Sequence, residues 1–276
     1  MDKQFIAGCA LEGLLVFTGI ILLAAYFLRW RKDSAAFPLG RLPARHAPLA
    51  DVTFFVVAFT VPMTISGGAA VLAAKYLPDW GLGRIQLASI YVLELAMILA
   101  IWLYAKFWRT ADAAPPPEGP PPGPLPALKS GAITFVMAMP ILILVGFAWQ
   151  GVLTLCHVPP APQSIVDMFL GLDTPLLKAL FTIVAAVLVP FNEEMIFRGG
   201  LFRGLRSVVP RPYAIMISAV IFGVAHGDLT AGVPLITLGA ILAIAYERTG
   251  NIGTVIVAHA LFNLNTLVAL LLGVNA

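Results

Sequence analysis

The stretch Asn192-Glu193-Glu194-Met195-Ile196-Phe197-Arg198-Gly199 sets two adjacent carboxylates and an arginine inside an apolar run that begins near residue 175. An ionisable group in a membrane segment costs roughly 2.5 to 3.5 kcal/mol even on insertion scales, and such groups face a cavity or a site rather than lipid. The rest of the 276-residue chain repeats the apolar setting: 60% of it is hydrophobic and 11% charged, with mean hydropathy +0.93, against about 25% charged residues in an average soluble domain. The fold class that follows is an all-α, polytopic integral membrane protein with an intramembrane site cavity.

Working outward from that run, apolar windows long enough for a ~30 Å hydrocarbon core fall at about 5–28, 52–77, 85–108, 130–155, 175–200, 213–226, 235–248 and 252–272. They predict about eight transmembrane helices. The first window is longer than a signal-peptide core and reads as a retained helix. Ala111 to Pro126 is half proline and reads as a non-helical, extended spacer. The expected organisation is therefore a three-helix membrane segment (1–108), a cytoplasmic linker (109–129) and a five-helix membrane segment (130–276).

Basic residues cluster in alternate loops: Arg29, Arg31, Lys32, Arg41 and Arg45; Lys106, Arg109 and Lys129; Arg203, Arg206 and Arg211. One of the intervening loops carries Asp167 and Asp173. The positive-inside rule makes the basic loops cytoplasmic and both termini external. The net charge of +3 thus reports orientation, and no basic run interleaved with aromatics suggests a nucleic-acid partner. Cys9 and Cys156 are too few for a disulfide framework or a thiolate metal cage and read as buried small hydrophobes. Trp30, Tyr76, Trp80, Tyr104 and Trp108 stand at segment ends, where they read as interfacial anchors.

The sixth and seventh windows, at 14 residues each, reach only about 21 Å as helix, too short to cross the core. They are joined by His226-Gly227-Asp228-Leu229-Thr230-Ala231-Gly232-Val233-Pro234. Irregular backbone at membrane depth is tolerated where it faces protein or a water-filled cavity, so His226 is expected at the edge of one.

Three pairs share a four-residue spacing that stacks both members on one helical face: Glu194 with Arg198, Phe222 with His226, and His259 with Asn263. Val209 marks a hairpin tip 16 residues after Glu193 and 17 before His226, which sets those two side chains level. His259 lies eight residues past Asn251, or about 12 Å of helix. Glu193, His226, His259 and Asn263 could therefore converge in the cytoplasmic half of the membrane. Such a set suits amide hydrolysis. A carboxylate paired with an imidazole can hold and deprotonate water, with Arg198 favouring the charged carboxylate. Asn263 and the second histidine could donate to the oxyanion. No His-Glu-x-x-His is present, Ser66 has no evident histidine partner, and Asp228 lacks a second intramembrane aspartate. A zinc site of Glu193, His226 and His259 with an open fourth position stays possible beside the metal-free reading.

These three motifs, Glu193-Glu194-x-x-x-Arg198, Phe222-x-x-x-His226 and His259-x-x-x-Asn263, in that order on successive membrane helices, resemble those of the CPBP family, the CAAX proteases and bacteriocin-processing enzymes also called the Abi family. The resemblance covers about residues 175–272 and is strongest to the type II CAAX prenyl endopeptidases. It implies an intramembrane endopeptidase in which Glu193 and His226 activate water, His259 and Asn263 support the oxyanion, and Glu194 and Arg198 support the site. It leaves metal dependence open. The implied partners are the bilayer and a membrane-associated peptide or protein substrate, processed in CAAX fashion or in bacterial peptide or immunity processing. Two other classes use the same buried charges: a non-catalytic membrane scaffold, and an ion-coupled transporter. Glu12, Glu94 and Asn265 also lie in apolar stretches, where no motif claims them. They are expected to line a cavity or pair with another helix.

Overall fold

The computed structural model describes residues 3–33, 42, 48–107, 124–158 and 164–274. Arg41, Arg45, Trp108, Arg109 and most of the proline-rich stretch lie outside the described residues. Among the described residues there are nine helices and no strand: α1 Lys3–Lys32, α2 Pro48–Tyr76, α3 Leu82–Phe107, α4 Pro124–Leu155, α5 Ser164–Leu170, α6 Pro175–Val208, α7 Arg211–Ala225, α8 Gly232–Thr249 and α9 Ile252–Leu271. Each of the eight expected windows is one of these helices, and α5 is a two-turn addition in the acidic loop. Six of them, α1, α2, α3, α4, α6 and α9, are long and apolar enough to cross a membrane. Their outward leucines, isoleucines and phenylalanines stay exposed, as a lipid-facing surface requires.

Two helix boundaries and the burial of the cysteines differ from the sequence reading. Helix α4 starts at Pro124, so the last prolines of the spacer form its first turn, where a missing N–H and a fixed φ cost nothing. Helix α8 starts at Gly232 and runs for 18 residues rather than 14, because Pro234 likewise sits in a first turn. Cys9 and Cys156 are exposed free thiols rather than buried ones: Cys9 lies on an outward face of α1 and Cys156 just past the end of α4.

The helices gather into two compact units that do not follow chain order. In one, α4 packs against α1, α8 and α9. Gly131 makes close approach possible there, since a Cβ on it would stand 2.6 Å from Val257 and 2.8 Å from the Thr254 carbonyl. Small residues at helix contacts are how membrane helices gain packing when lipid removes the hydrophobic drive. Polar links complete the unit. Asn265 donates to Glu12 at 2.8 Å, joining α9 to α1, and the hydroxyls of Ser130 and Thr254 join α4 to α9 at 2.7 Å. Helix α8 turns into α9 through Gly250, in the left-handed region, and Asn251, whose side chain accepts from the Gly253 N–H.

The other unit holds α2, α3, α5 and α6. Ser66, short of a histidine in the sequence reading, instead donates to the Ser89 carbonyl at 2.6 Å and joins α2 to α3. Tyr104 is no simple interfacial anchor: its ring stacks on Phe54 with centroids 4.1 Å apart, and its hydroxyl donates to the fully buried Asp51. Phe55 and Phe59 of α2 meet Phe197 of α6 edge to face.

Candidate active site

Helix α6 carries the carboxylates, and its backbone is irregular on both sides of them. It opens with Thr174 as N-cap, accepting from the Leu177 N–H, and Pro175 in the first turn. A π-turn at Val184–Leu188 precedes Pro190, and a second at Phe197–Phe202 follows Ile196. The first has a cause: an internal proline collides with the carbonyl four residues back, and a widened turn removes the collision. The segment Val189–Ile196, with Asn192, Glu193 and Glu194, is therefore a short α-helical piece between two π-turns, a kind of backbone often found at functional sites.

Glu194 of that piece and Arg198 of the second π-turn form an ion pair at 2.8 Å, with side chains 0% and 2% exposed. The predicted four-residue pairing is thus real and fully desolvated. Glu193 is half-buried on the next position of the helix. Asn192 is buried, and its amide donates to the Glu94 carbonyl at 2.9 Å and the Glu94 carboxylate at 2.6 Å.

The histidines belong to the other unit. His226 follows the last turn of α7 and is exposed, with Gly227 at φ 64° closing the helix. Only glycine takes that conformation cheaply, which makes Gly227 the residue that stops α7 directly behind His226. His226 Nδ1 lies 2.8 Å from the Phe222 carbonyl oxygen. A carbonyl can only accept, so Nδ1 carries the proton and Nε2 is the ring's acceptor nitrogen in the neutral form. The Phe222 ring is fully buried between the two imidazoles, 4.8 Å from His226 and 5.8 Å, edge on, from His259. His259 is itself buried, and Asn263 stands one turn further along α9, half-buried.

Helix α7 is held close to α8 because Gly223 has no Cβ, which would fall 2.4 Å from Ile236. The loop after His226 is tied down from within and from α4. Asp228 accepts from the N–H groups of Thr230 and Ala231 and from the Thr230 hydroxyl, so its role is that of a turn residue. Trp149 and Gln150 of α4 donate to the Leu229 and Thr230 carbonyls.

Four of these structural residues carry no role that the sequence alone assigns. Asn192 has no local partner in its sequence neighbourhood, and Trp149 and Gln150 give no signal because their acceptors are backbone atoms 80 residues away. Glu94 did signal itself as a carboxylate in an apolar helix, and its partner is Asn192. Within either unit, the described residues hold no cluster of three His, Cys, Asp or Glu able to bind a metal ion. The zinc combination would draw Glu193 from one unit and both histidines from the other.

Residues 175–265 match the family described as type II CAAX prenyl endopeptidase Rce1-like. Over 101 residues the chain is 35% identical to the Bacillus subtilis (strain 168) protein named "Putative membrane peptidase YdiL", covering 37% of this chain and 39% of that protein. The chain thus spans about two fifths of that relative's length. No solved structure matches the chain. The matched segment contains all three motifs, from Glu193 to Asn263, and over that third of the chain the protein is similar to these membrane peptidases.

Proposed function

We propose that this protein is an intramembrane endopeptidase that hydrolyses a peptide bond of a membrane-associated peptide or protein. What carries the reading is that one matched segment, residues 175–265, contains every member of the three motifs. In the proposed step Glu193, paired with His226, takes a proton from water as its oxygen bonds to the scissile carbonyl carbon. His259 and Asn263 donate to the oxyanion that forms. Collapse of the intermediate breaks the C–N bond, and the proton taken from water passes to the leaving amine. The buried Glu194–Arg198 pair supports this by fixing the helix turn beside Glu193. The Nδ1–H of His226, held by a carbonyl, supports it by leaving Nε2 basic.

The proposed reaction needs no metal. A zinc held by Glu193, His226 and His259 would supply a more acidic water, and His226 Nε2 suits either role. Cleavage by purified protein is therefore expected to survive 1,10-phenanthroline; loss on chelation, restored by zinc, would overturn the metal-free form. The site is proposed to open to the cytoplasm, following the basic loops. Protease added to intact cells should then remove a C-terminal tag, and a protected tag would reverse the orientation.

The deciding experiment is peptide-terminus mapping of membrane proteins in cells carrying the wild type or Glu193→Ala at matched expression. New termini present only with the wild type identify both protease and substrate. Identical termini, with a phenotype rescued equally by both, would make the protein a scaffold.

A further inference from the structure

We propose that Glu94, on α3, is a positioning residue for Glu193, acting through the side-chain amide of Asn192. Its catalytic consequence rests on the function proposed above; its structural part does not.

Glu94 is 3% exposed in the middle of an apolar helix that is long enough to cross a membrane. A carboxylate there is costly and calls for a compensating partner. Its partner is Asn192, which gives hydrogen bonds from its amide nitrogen to both the carbonyl and the carboxylate of Glu94. With two acceptors on one residue, the amide has a single orientation and α6 a single distance from α3 at that level. Asn192 directly precedes Glu193, so any rotation or sliding of α6 at Asn192 moves Glu193 with it.

The π-turns make this anchor necessary. A π-turn inserts a residue and resets the phase of the helix beyond it. Val189–Ile196 has one on each side, so its rotation about the helix axis is only loosely set by the rest of α6. An outside contact must set it. Helix α3 supplies a second hold above the first π-turn, where the Tyr91 hydroxyl donates to the Leu180 carbonyl at 3.1 Å. Tyr91 and Glu94 are three residues apart and share a face of α3. This helix lies outside the matched segment 175–265, so the N-terminal part of the chain completes the setting of the site.

The test uses the full-length protein in detergent micelles and two readouts. In the first, Glu193→Cys is placed in a background lacking Cys9 and Cys156, and the rate of its reaction with N-ethylmaleimide is measured. Adding Glu94→Ala or Asn192→Ala should change that rate by about fivefold or more, while Glu94→Gln, which keeps an acceptor oxygen, should stay within about twofold. In the second, an internally quenched farnesylated CAAX peptide is the probe for the chain with Glu193 intact. Glu94→Ala should lower kcat about tenfold to a hundredfold with KM nearly unchanged, as expected for a displaced catalytic group, and Glu94→Gln should recover most of it.

Adding Glu94→Ala to Asn192→Ala should lower kcat no further, since Glu94 acts only through Asn192. The inference is overturned if the thiol rate is indifferent to Glu94→Ala, if Glu94→Gln fails as badly as Glu94→Ala, or if the lost kcat merely tracks a lost folded fraction in thermal unfolding. Should the wild type cleave the peptide no faster than Glu193→Ala, the protease reading fails for that probe, and the thiol rates still decide the role of Glu94.

Discussion

The turn that carries Glu193 and the turn that carries His226 are built in opposite ways. Around Glu193 the structure is over-determined: a desolvated ion pair on one side, a double hydrogen bond from Asn192 to α3 on the other, and aromatic rings of α2 against Phe197. Around His226 there is a helix end, a glycine in the left-handed region, a carbonyl at Nδ1 and a loop tied by Asp228 and by Trp149 and Gln150 of α4. The carboxylate turn is held by groups that cannot be removed one at a time without leaving a buried charge or donor unmatched. The imidazole turn is held by capping, by hydrogen bonds to loop backbone and by a buried phenylalanine, with no desolvated ion pair described among them. In an apolar medium, charge is what makes a turn rigid, because every alternative arrangement strands it.

Perturbing the two turns should therefore give different failures, and the largest effect should be on cleavage. Glu193→Ala, His226→Ala and His259→Ala are each expected to abolish it while leaving the protein folded; full activity in Glu193→Ala would break the assignment outright. Asn263→Ala should retain measurable turnover, lowered by about two to three decades, as expected for loss of one oxyanion donor. Stability comes next. Arg198→Ala or Glu194→Ala should destabilise by roughly 3 to 5 kcal/mol in denaturant titration of the micellar protein, because the surviving charge stays buried. An effect no larger than that of a surface substitution would mean the pair is solvated, and would erase the contrast drawn here. Gly227→Ala should cost about 1 to 2 kcal/mol through its positive φ, the smaller scale of the imidazole turn. The smallest effect is expected for Glu12→Gln, since a glutamine oxygen can still accept from Asn265; terminus mapping with this variant should match the wild type.

The helices and two of the pairs were legible because both are local. Eight apolar windows needed only a running composition, and Glu194–Arg198 and Phe222–His226 needed only the helical repeat of 3.6 residues. What failed to show was either backbone detail or long-range partnership. Nothing in the sequence placed the second π-turn, and Pro190 hinted at the first only in hindsight. Glu94 and Glu12 were visible as carboxylates in apolar stretches, yet their partners stand 98 and 253 residues away. Tyr104 looked like an interfacial ring and is a donor to buried Asp51. Glu247 drew no notice and is fully buried on α8.

By itself, then, the sequence determined an all-α membrane protein, the order of its helices, and the facing pairs of each motif, since hydropathy and helical periodicity act within a few residues of the chain. Only the tertiary structure decided which buried charges meet which donors and which glycines allow helices to touch. It also decided how the turn bearing Glu193 is set in phase. Those outcomes depend on contacts between segments far apart in sequence, where a polar group in an apolar medium must find a specific partner and local pattern does not say which.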